Sequence, residues 1–338
     1  EENTVTEDTE IKKLTLDAGQ PISFKDVKAV NGNNTYKVVA EYNGKMGIDV
    51  SKSVWAGFDI SEPVKNLKIK TVDGNMHVKL TWEAPEKGEN GGYFNINDIS
   101  YTIWRSLSKN DFTPIATNIK DLTYTDTSIE EEVKDMQEVY YYAVTADNKA
   151  GRSKGATQFI GVGKPYTFPV DESFSNGRLN LNPWSYKNVQ GSLGWETMRS
   201  DDGGGSPQDN DRGFVKFTNK WGESCVDSRL ITPAVSMEGT TKPTFSFYMF
   251  HWEANSVASD NKQTKLMIEV APDGGDFEEP IDTFTAANDK YGWVEHRVSL
   301  EKYKNCKYIQ VALRGYTNND WMYYYVDNIH FDEQKDND

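Results

Sequence analysis

The chain has 338 residues, a formal net charge of -15, and 37% hydrophobic and 12% aromatic residues. That length exceeds one ordinary domain. A surface this acidic repels phosphate backbones and anionic lipid, which excludes nucleic acid as an expected partner. No window reaches the roughly 18 apolar residues of a transmembrane segment, and no signal peptide opens at Glu1-Glu2-Asn3, which reads as a mature or truncated start.

Helical periodicity is weak everywhere, and period-2 alternation is frequent. In chain order, strands are predicted at Val78 to Trp82, Ser100 to Trp104, Tyr140 to Ala146, Phe245 to Phe250, Lys265 to Val270, Tyr308 to Leu313 and Tyr323 to Phe331. Turn signals lie between them at Asp73-Gly74, Asn90-Gly91-Gly92, Asn176-Gly177 and Asp273-Gly274-Gly275. Short strands with turns and no intervening helices predict an all-β protein of antiparallel sandwiches.

One repeat organises the first half. Ser23-Phe24-Lys25-Asp26, Tyr36 to Asn43 and Gly57 return as Thr123-Tyr124-Thr125-Asp126, Tyr141 to Asn148 and Gly161. A period of about 100 residues is the size of a whole β-sandwich and too long for a solenoid unit. The first copy lacks a counterpart for the front half of the second. Glu62-Pro63 and Pro165-Tyr166-Thr167-Phe168-Pro169 mark boundaries, since proline lacks a ladder donor and stiffens a link. The expected organisation is a partial module at 1–61, a complete one at 62–165, a larger one at 166–332 and a charged tail at 333–338.

The stretch 62–165 resembles a fibronectin type III domain. The likeness is carried by Pro63-Val64-Lys65-Asn66-Leu67, Val78-Lys79-Leu80-Thr81-Trp82-Glu83-Ala84-Pro85, Tyr101-Thr102-Ile103-Trp104-Arg105-Ser106 and Tyr141 to Asn148, with Ala150-Gly151 in the following turn. The insert Gly88 to Phe94 is similar to a form found in secreted Bacteroidetes proteins. Trp82 and Tyr141 are expected to alternate inward and fill the core. Residues 10–61 match only the later strands of this fold, so an apolar face and unpaired edges are expected there unless upstream sequence or a neighbour covers them. Fibronectin-like modules imply spacers.

Residues 166–332 resemble the cleaved-adhesin or choice-of-anchor J jelly rolls, relatives of the MAM domain. The matching residues are Asp171 to Gly177, Gly194-Trp195-Glu196, Gly213 to Phe217, Ser228 to Pro233, Lys242 to Tyr248, Ile268 to Gly275, Trp293 and Val326-Asp327-Asn328-Ile329. The resemblance implies a non-catalytic module in adhesion or carbohydrate binding. It also implies one structural Ca2+ tying the first strand to the last, at positions matching Glu172 and Asp327. The competing reading has these two carboxylates solvated or paired with a base such as Arg229. Relatives often carry an Asp-Gly-Asp-Gly loop. Here Asp201, Asp202, Asp209 and Asp211 stand in a Gly-rich stretch, a second candidate metal cluster or simply a polar loop.

A sandwich that binds sugar needs flat aromatic faces and a few orienting polar groups. Of the six tryptophans in the third module, Trp221, Trp252 and Trp321 lie near turn-rich segments and are the candidate platforms. Trp195 and Trp293 fall in strand-like contexts and are expected in the core. Catalysis finds little support. His77, His251, His296 and His330 have no metalloenzyme spacing, no G-x-S-x-G elbow occurs, and Gly203-Gly204-Gly205 lacks the lysine of a P-loop. Glu269 and Glu295 are the one carboxylate pair to weigh for glycoside hydrolysis. Cys225 and Cys306 admit a disulfide in an oxidising compartment or two small buried side chains.

The expected function is therefore a non-catalytic, secreted or cell-surface adhesin-like protein. Its jelly roll binds a glycan or a host surface protein, and its fibronectin-like modules act as spacers. The alternatives are the non-catalytic region of a larger secreted protease or glycosidase, and a structural stalk.

Overall fold

A computed structural model describes residues 10–15, 23–175, 183–192, 194–199, 207–209, 211–218, 225–253, 264–285, 287–288, 291–318 and 324–334. The protein is all-β, with immunoglobulin-like strands followed by a jelly-roll sandwich. It divides into two compact units, one of residues 1–59 with 88–94, the other of residues 60–87 with 95–338.

The first unit contains β1 (Gly32–Val38), β2 (Glu41–Tyr42), β3 (Lys45–Met46) and β4 (Val50–Ala56), with β1 antiparallel to β4 and β2 to β3. The Gly88–Phe94 insert joins this unit rather than the strands that flank it in sequence. Asp59 holds it, accepting from the backbone N–H groups of Asn90 at 2.7 Å and Gly92 at 3.0 Å and from the Asn90 amide at 2.9 Å. A Cβ on Gly92 would collide with the Trp55 ring, which is why the glycine pair sits there.

The second unit opens with a sandwich of a three-stranded and a five-stranded sheet. Strands β5 (Lys65–Val72), β6 (His77–Glu83) and β9 (Thr123–Asp126) form one sheet. Strands β7 (Ser100–Ser106), β8 (Thr113–Ile119), β10 (Glu138–Asn148), β11 (Gly151–Arg152) and β12 (Ala156–Val162) form the other. This is the arrangement that a fibronectin type III resemblance implies. Val78, Leu80 and Trp82 point inward from β6 because alternate residues share a face, and Trp82 packs edge-on against Tyr101 with centroids 5.3 Å apart.

One expectation is corrected here. Tyr142, not Tyr141, fills this core. Tyr140, Tyr142, Val144 and Ala146 form the buried row of β10, and a shift of one residue turns Tyr141 to the opposite face against Phe159. The frame of the repeat moves with it. The Tyr142 hydroxyl donates to Asp126 at 2.8 Å, and the Tyr36 hydroxyl donates to Asp26 at 3.1 Å. Tyr36, Val38 and Ala40 thus correspond to Tyr142, Val144 and Ala146. The latter three are buried, whereas Val38 is 67% exposed and Ala40 is exposed.

The jelly roll follows. Its strands are β13 (Val170–Glu172), β14 (Ser185–Gln190), β15 (Trp195–Arg199), β16 (Gly213–Phe217), β17 (Val226–Ile231), β18 (Val235–Ser236) and β19 (Pro243–Glu253), then β20 (Lys265–Pro272), β21 (Asp282–Thr285), β22 (Ala287–Asn288), β23 (Gly292–Ser299), β24 (Tyr308–Thr317) and β25 (Tyr324–Glu333). Among the described residues β15-β16-β25-β19-β22, with β13 and β23, make a seven-stranded sheet. Strands β14-β17-β24-β20-β21, with β18, make a six-stranded one. Between them lies a core of Trp195, Phe217, Phe245, Phe247, Leu266, Ile268, Leu313, Tyr324, Val326 and their neighbours. Gly315 is required at its centre, since a Cβ there would meet the Phe217 ring, which stacks on Tyr324 at 5.1 Å.

The two sandwiches of this unit meet through buried hydrogen bonds. The Gln137 amide brackets Ala234, donating to its carbonyl and accepting from its N–H, both at 2.8 Å. Thr71 and Tyr308 hydroxyls meet at 2.9 Å. Buried polar groups satisfied only by the neighbouring sandwich fix the junction, because separating them would leave them unpaired. No described helix is long and apolar enough to cross a membrane.

Candidate functional site

Two features share the outward face of the seven-stranded sheet. The first is aromatic. Alternation along β16, β19, β23 and β25 sends Val215, Phe247, Met249, Val298 and Val326 into the core and leaves Phe214, Phe250, Trp293 and Tyr325 on the other side, where Phe214 and Tyr325 are buried and Phe250 and Trp293 half-buried. Phe250 stands directly opposite Trp293 in register. Their rings meet edge-on at 5.5 Å, Phe250 lies 5.8 Å from Tyr325, and Tyr325 lies 4.8 Å from Phe214. Tyr291, 61% exposed, extends the row at 5.3 Å from Phe250. Edge-to-face contacts of this kind lock ring orientation. Trp195 is in the core as expected, but Trp293 is not. It lies half-buried on the outer face, because the residues that alternate inward on β23 are Val294, His296 and Val298.

The platforms expected at Trp221 and Trp321 fall outside the described residues. Trp252 places only its backbone, which pairs in parallel with Ala287.

The second feature is a group of carboxylates immediately beside the aromatic row. Asp327 is two residues from Tyr325 on the same face, opposite Tyr248. An extra residue in β25 makes a bulge here, with Asn328 at φ +45°, and bulges re-aim side chains. Asp327 is fully buried. It accepts from the N–H groups of Gln208 at 2.9 Å and Asn328 at 2.8 Å, and the Asn328 amide donates to Gln208 at 2.6 Å. Strand β13 lies against the same bulge, pairing Glu172 with Ile329. Glu172 accepts from the Phe174 N–H at 2.6 Å, and the Ser173 hydroxyl donates to Asp211 at 2.8 Å.

Glu172 and Asp327, at opposite ends of the module in sequence, thus lie on neighbouring strands, with Asp211 close to both and Asp209 close to Asp327. Burial pushes the Asp327 carboxyl up to about 7, with Asp209 and Asp211 adding repulsion against its two N–H donors. Burial also raises Glu172, and Asp211 adds to it. No base contributes to either shift. Arg229, the base suggested for them, is committed to Glu269 on the other sheet. Asp201 and Asp202 lie outside the described residues. Among the described residues no three acidic, histidine or cysteine side chains close around one point as a metal cage.

The carboxylate pair weighed for hydrolysis is not a pair. Glu269 is on β20 of the six-stranded sheet, bound by Arg229 and Arg314, and Glu295 is on β23 of the seven-stranded sheet beside Arg297. Cys225 and Cys306 are both free and half-buried. His251 and His296, 45 residues apart, bring their Nε2 atoms to 2.7 Å between the sheets, packed on Phe247 and Phe284. Burial pushes His296 below the usual imidazole range. No local motif announces such a pair, since only cross-strand register creates it.

No protein-family model matches the chain. It is 32% identical over 148 residues to an amylopullulanase of Thermoanaerobacter thermohydrosulfuricus, a match covering 43% of this chain and 9% of that protein. Among solved structures it is similar to the K1 cleaved adhesin domain of Lys-gingipain from Porphyromonas gingivalis W83, at 20% identity and TM-score 0.38, covering 49% of this chain and 99% of that one. It is also similar to TmCBM61 in complex with β-1,4-galactotriose, at 11% identity and TM-score 0.34, covering 48% of this chain and 94% of that one. A third is an Fn3-like protein from Clostridium thermocellum, at 26% identity and TM-score 0.22, covering 28% and 86%.

Proposed function

We propose that this chain is a non-catalytic, secreted binding protein, and that its jelly roll holds a glycan against the outward face of the seven-stranded sheet. The observation that carries this reading is the row Phe250, Trp293 and Tyr291, two half-buried rings and one exposed ring that strand register sets outside the core, backed by the buried Tyr325. Pyranose rings present apolar C–H faces that stack on such surfaces, and neighbouring polar groups orient the hydroxyls. The fibronectin-like sandwich, tied to the jelly roll through Gln137 and Thr71, holds this face at a fixed orientation. Trp293→Ala is expected to weaken binding to glycans captured on an array at least about tenfold, with the far-UV spectrum unchanged. Full binding by a folded Trp293→Ala, Tyr291→Ala double variant would remove the aromatic row from the site. A blank array with capture of a host surface protein would redirect the reading to protein adhesion.

The amylopullulanase match favours a second context, in which the chain is an accessory region of a larger secreted glycosidase. Glycan binding would serve that enzyme by concentrating it on its polymer.

We also propose one structural Ca2+ at the bulge of β25. Glu172 and Asp327 would be its carboxylate ligands, with backbone carbonyls and water completing an oxygen-only set. The gathered carboxylates without a base fit a hard cation, which would supply the missing positive charge and tie β13 to β25. Millimolar CaCl2 is expected to raise the melting temperature by several degrees, since a ligand bound only by the folded state stabilises it by mass action. Glu172→Gln should abolish the response. A melting temperature indifferent to both CaCl2 and EDTA would refute the ion.

A further inference from the structure

The six-stranded sheet has its own outward face, built from a different chemistry. Strand register aligns Lys187 on β14, Arg229 on β17, Arg314 on β24, Met267 on β20 and Thr283 on β21 in one row across the sheet. The next row contains Asp227, Tyr316 and Lys265. On the other side of the first row, Glu269 stands opposite Ala312. These are the positions that alternate with Leu230, Ile268 and Leu313 of the core.

Two carboxylates anchor the arginines from below. Arg314 donates from Nε and Nη2 to both oxygens of Asp227, at 2.8 and 2.6 Å, and from Nη1 to Glu269 at 2.8 Å. Arg229 donates from Nε and Nη2 to Glu269, at 2.5 and 3.3 Å. Its guanidinium carbon lies 5.4 Å from the centre of the Phe277 ring. Glu269 is 2% exposed and Asp227 7% exposed, so both planar cations are fixed in orientation.

Asp227 and Glu269 balance the two arginines. They leave Lys187 and Lys265, both exposed, with no acidic partner among the described residues, and they leave Arg229 Nη1 without an acceptor there. The Lys187 ammonium meets only the Gln158 side-chain oxygen, at 3.4 Å, on β12 of the adjoining sandwich. This is a surplus of positive charge on a chain whose net charge is -15. It is laid out across four strands, about 14 Å at the usual strand spacing.

We propose that this face binds an acidic polysaccharide through its uronate carboxylates. A polymer crossing the strands would place one carboxylate at Lys187 and Arg229 Nη1 and a later one at Lys265. Arg314, Tyr316 and Met267 form the ground between them. The fixed guanidinium and the ammonium groups match the donor needs of carboxylates, and the charge of the patch is complementary to such a polymer. The surface is distinct from the aromatic row, which lies on the opposite sheet. Only the choice of a polysaccharide as the carboxylate's carrier rests on the glycan-binding reading.

The test is affinity electrophoresis of the whole chain in gels containing polygalacturonate or neutral β-1,4-galactan. Polygalacturonate is expected to retard the protein at low ionic strength, and 0.5 M NaCl should remove most of that retardation, because exposed charges are screened. The double variant Lys187→Gln, Lys265→Gln is expected to lose about tenfold or more in polygalacturonate affinity, with galactan binding and melting temperature unchanged. Wild-type protein that ignores polygalacturonate would overturn the proposal, as would a double variant that binds it undiminished. Loss of galactan binding in Trp293→Ala with polygalacturonate binding retained would separate the two surfaces. Absence of galactan binding with a lysine-dependent response to polygalacturonate would leave this site standing while the aromatic one fails.

Discussion

Asp126→Ala is expected to destabilise the fibronectin-like sandwich by about 3–5 kcal/mol, because it strips the partner from a buried charge. Asp126 ends β9 with no exposed surface. It accepts from Arg105 Nη1 at 2.9 Å, the Tyr142 hydroxyl at 2.8 Å, and the Ser128 hydroxyl and N–H at 2.6 and 3.0 Å. Alanine would leave the Tyr142 hydroxyl buried without an acceptor and Arg105 with Glu132 as its one remaining carboxylate, beside the Ser128 hydroxyl. The whole stability of a domain is about 5–15 kcal/mol, so this one change should move the urea midpoint far down. Asp126→Asn keeps an acceptor of the same shape and should fall between. The same pair in the first unit, Asp26 with Tyr36, is more exposed, and Asp26→Ala should leave the midpoint of the sandwich transition unmoved. A midpoint for Asp126→Ala within experimental error of wild type would show that the network is solvated and contributes nothing.

The contrast between the two copies shows what a sequence can and cannot say. Alternation made the strands legible, since each has one buried face, and Trp82 and Trp195 lie inside as expected. It failed by one residue at Tyr140-Tyr141-Tyr142, where three consecutive tyrosines satisfy either face and only the hydroxyl contact to Asp126 decides. It failed again at Trp293, because a tryptophan in a strand suits the inside and the outside equally. The register against Phe250 settles it.

Long-range pairing is the harder quantity. Glu172 and Asp327 were legible as partners only through a resemblance to a family, and Asp209 and Asp211 looked like a separate loop. The pairing of β13 with β25 beside the bulge at Asn328 brings Asp211 close to both Glu172 and Asp327, and no local pattern signals a bulge of that kind. Glu269 was singled out as a carboxylate but given the wrong neighbour. Its companions Arg229 and Arg314 lie 40 and 45 residues away and are delivered by two different strands. A sequence lists charges, whereas register across five strands decides which of them meet.

Glu269→Ala is the second large effect expected, again about 3–5 kcal/mol. Arg229 and Arg314 stand directly opposite each other on neighbouring strands, an arrangement of like charges that destabilises a sheet. Glu269 relieves it by accepting from both, reaching across the space that Ala312 leaves open opposite it. Without it, Asp227 neutralises Arg314 alone, and Arg229 keeps only its contact with Phe277. Glu269→Gln preserves the shape and loses the charge, so a smaller loss is expected. Replacing Asp227, Arg229, Glu269 and Arg314 together by apolar residues of similar volume should recover most of the stability, since the desolvation of four charges disappears with their attraction. The network would then owe its place to what it presents to solvent rather than to folding. Urea midpoints of the three variants distinguish these outcomes. A quadruple variant as unstable as Glu269→Ala would mean that the ion network itself, and not the uncompensated charge, holds the six-stranded sheet together.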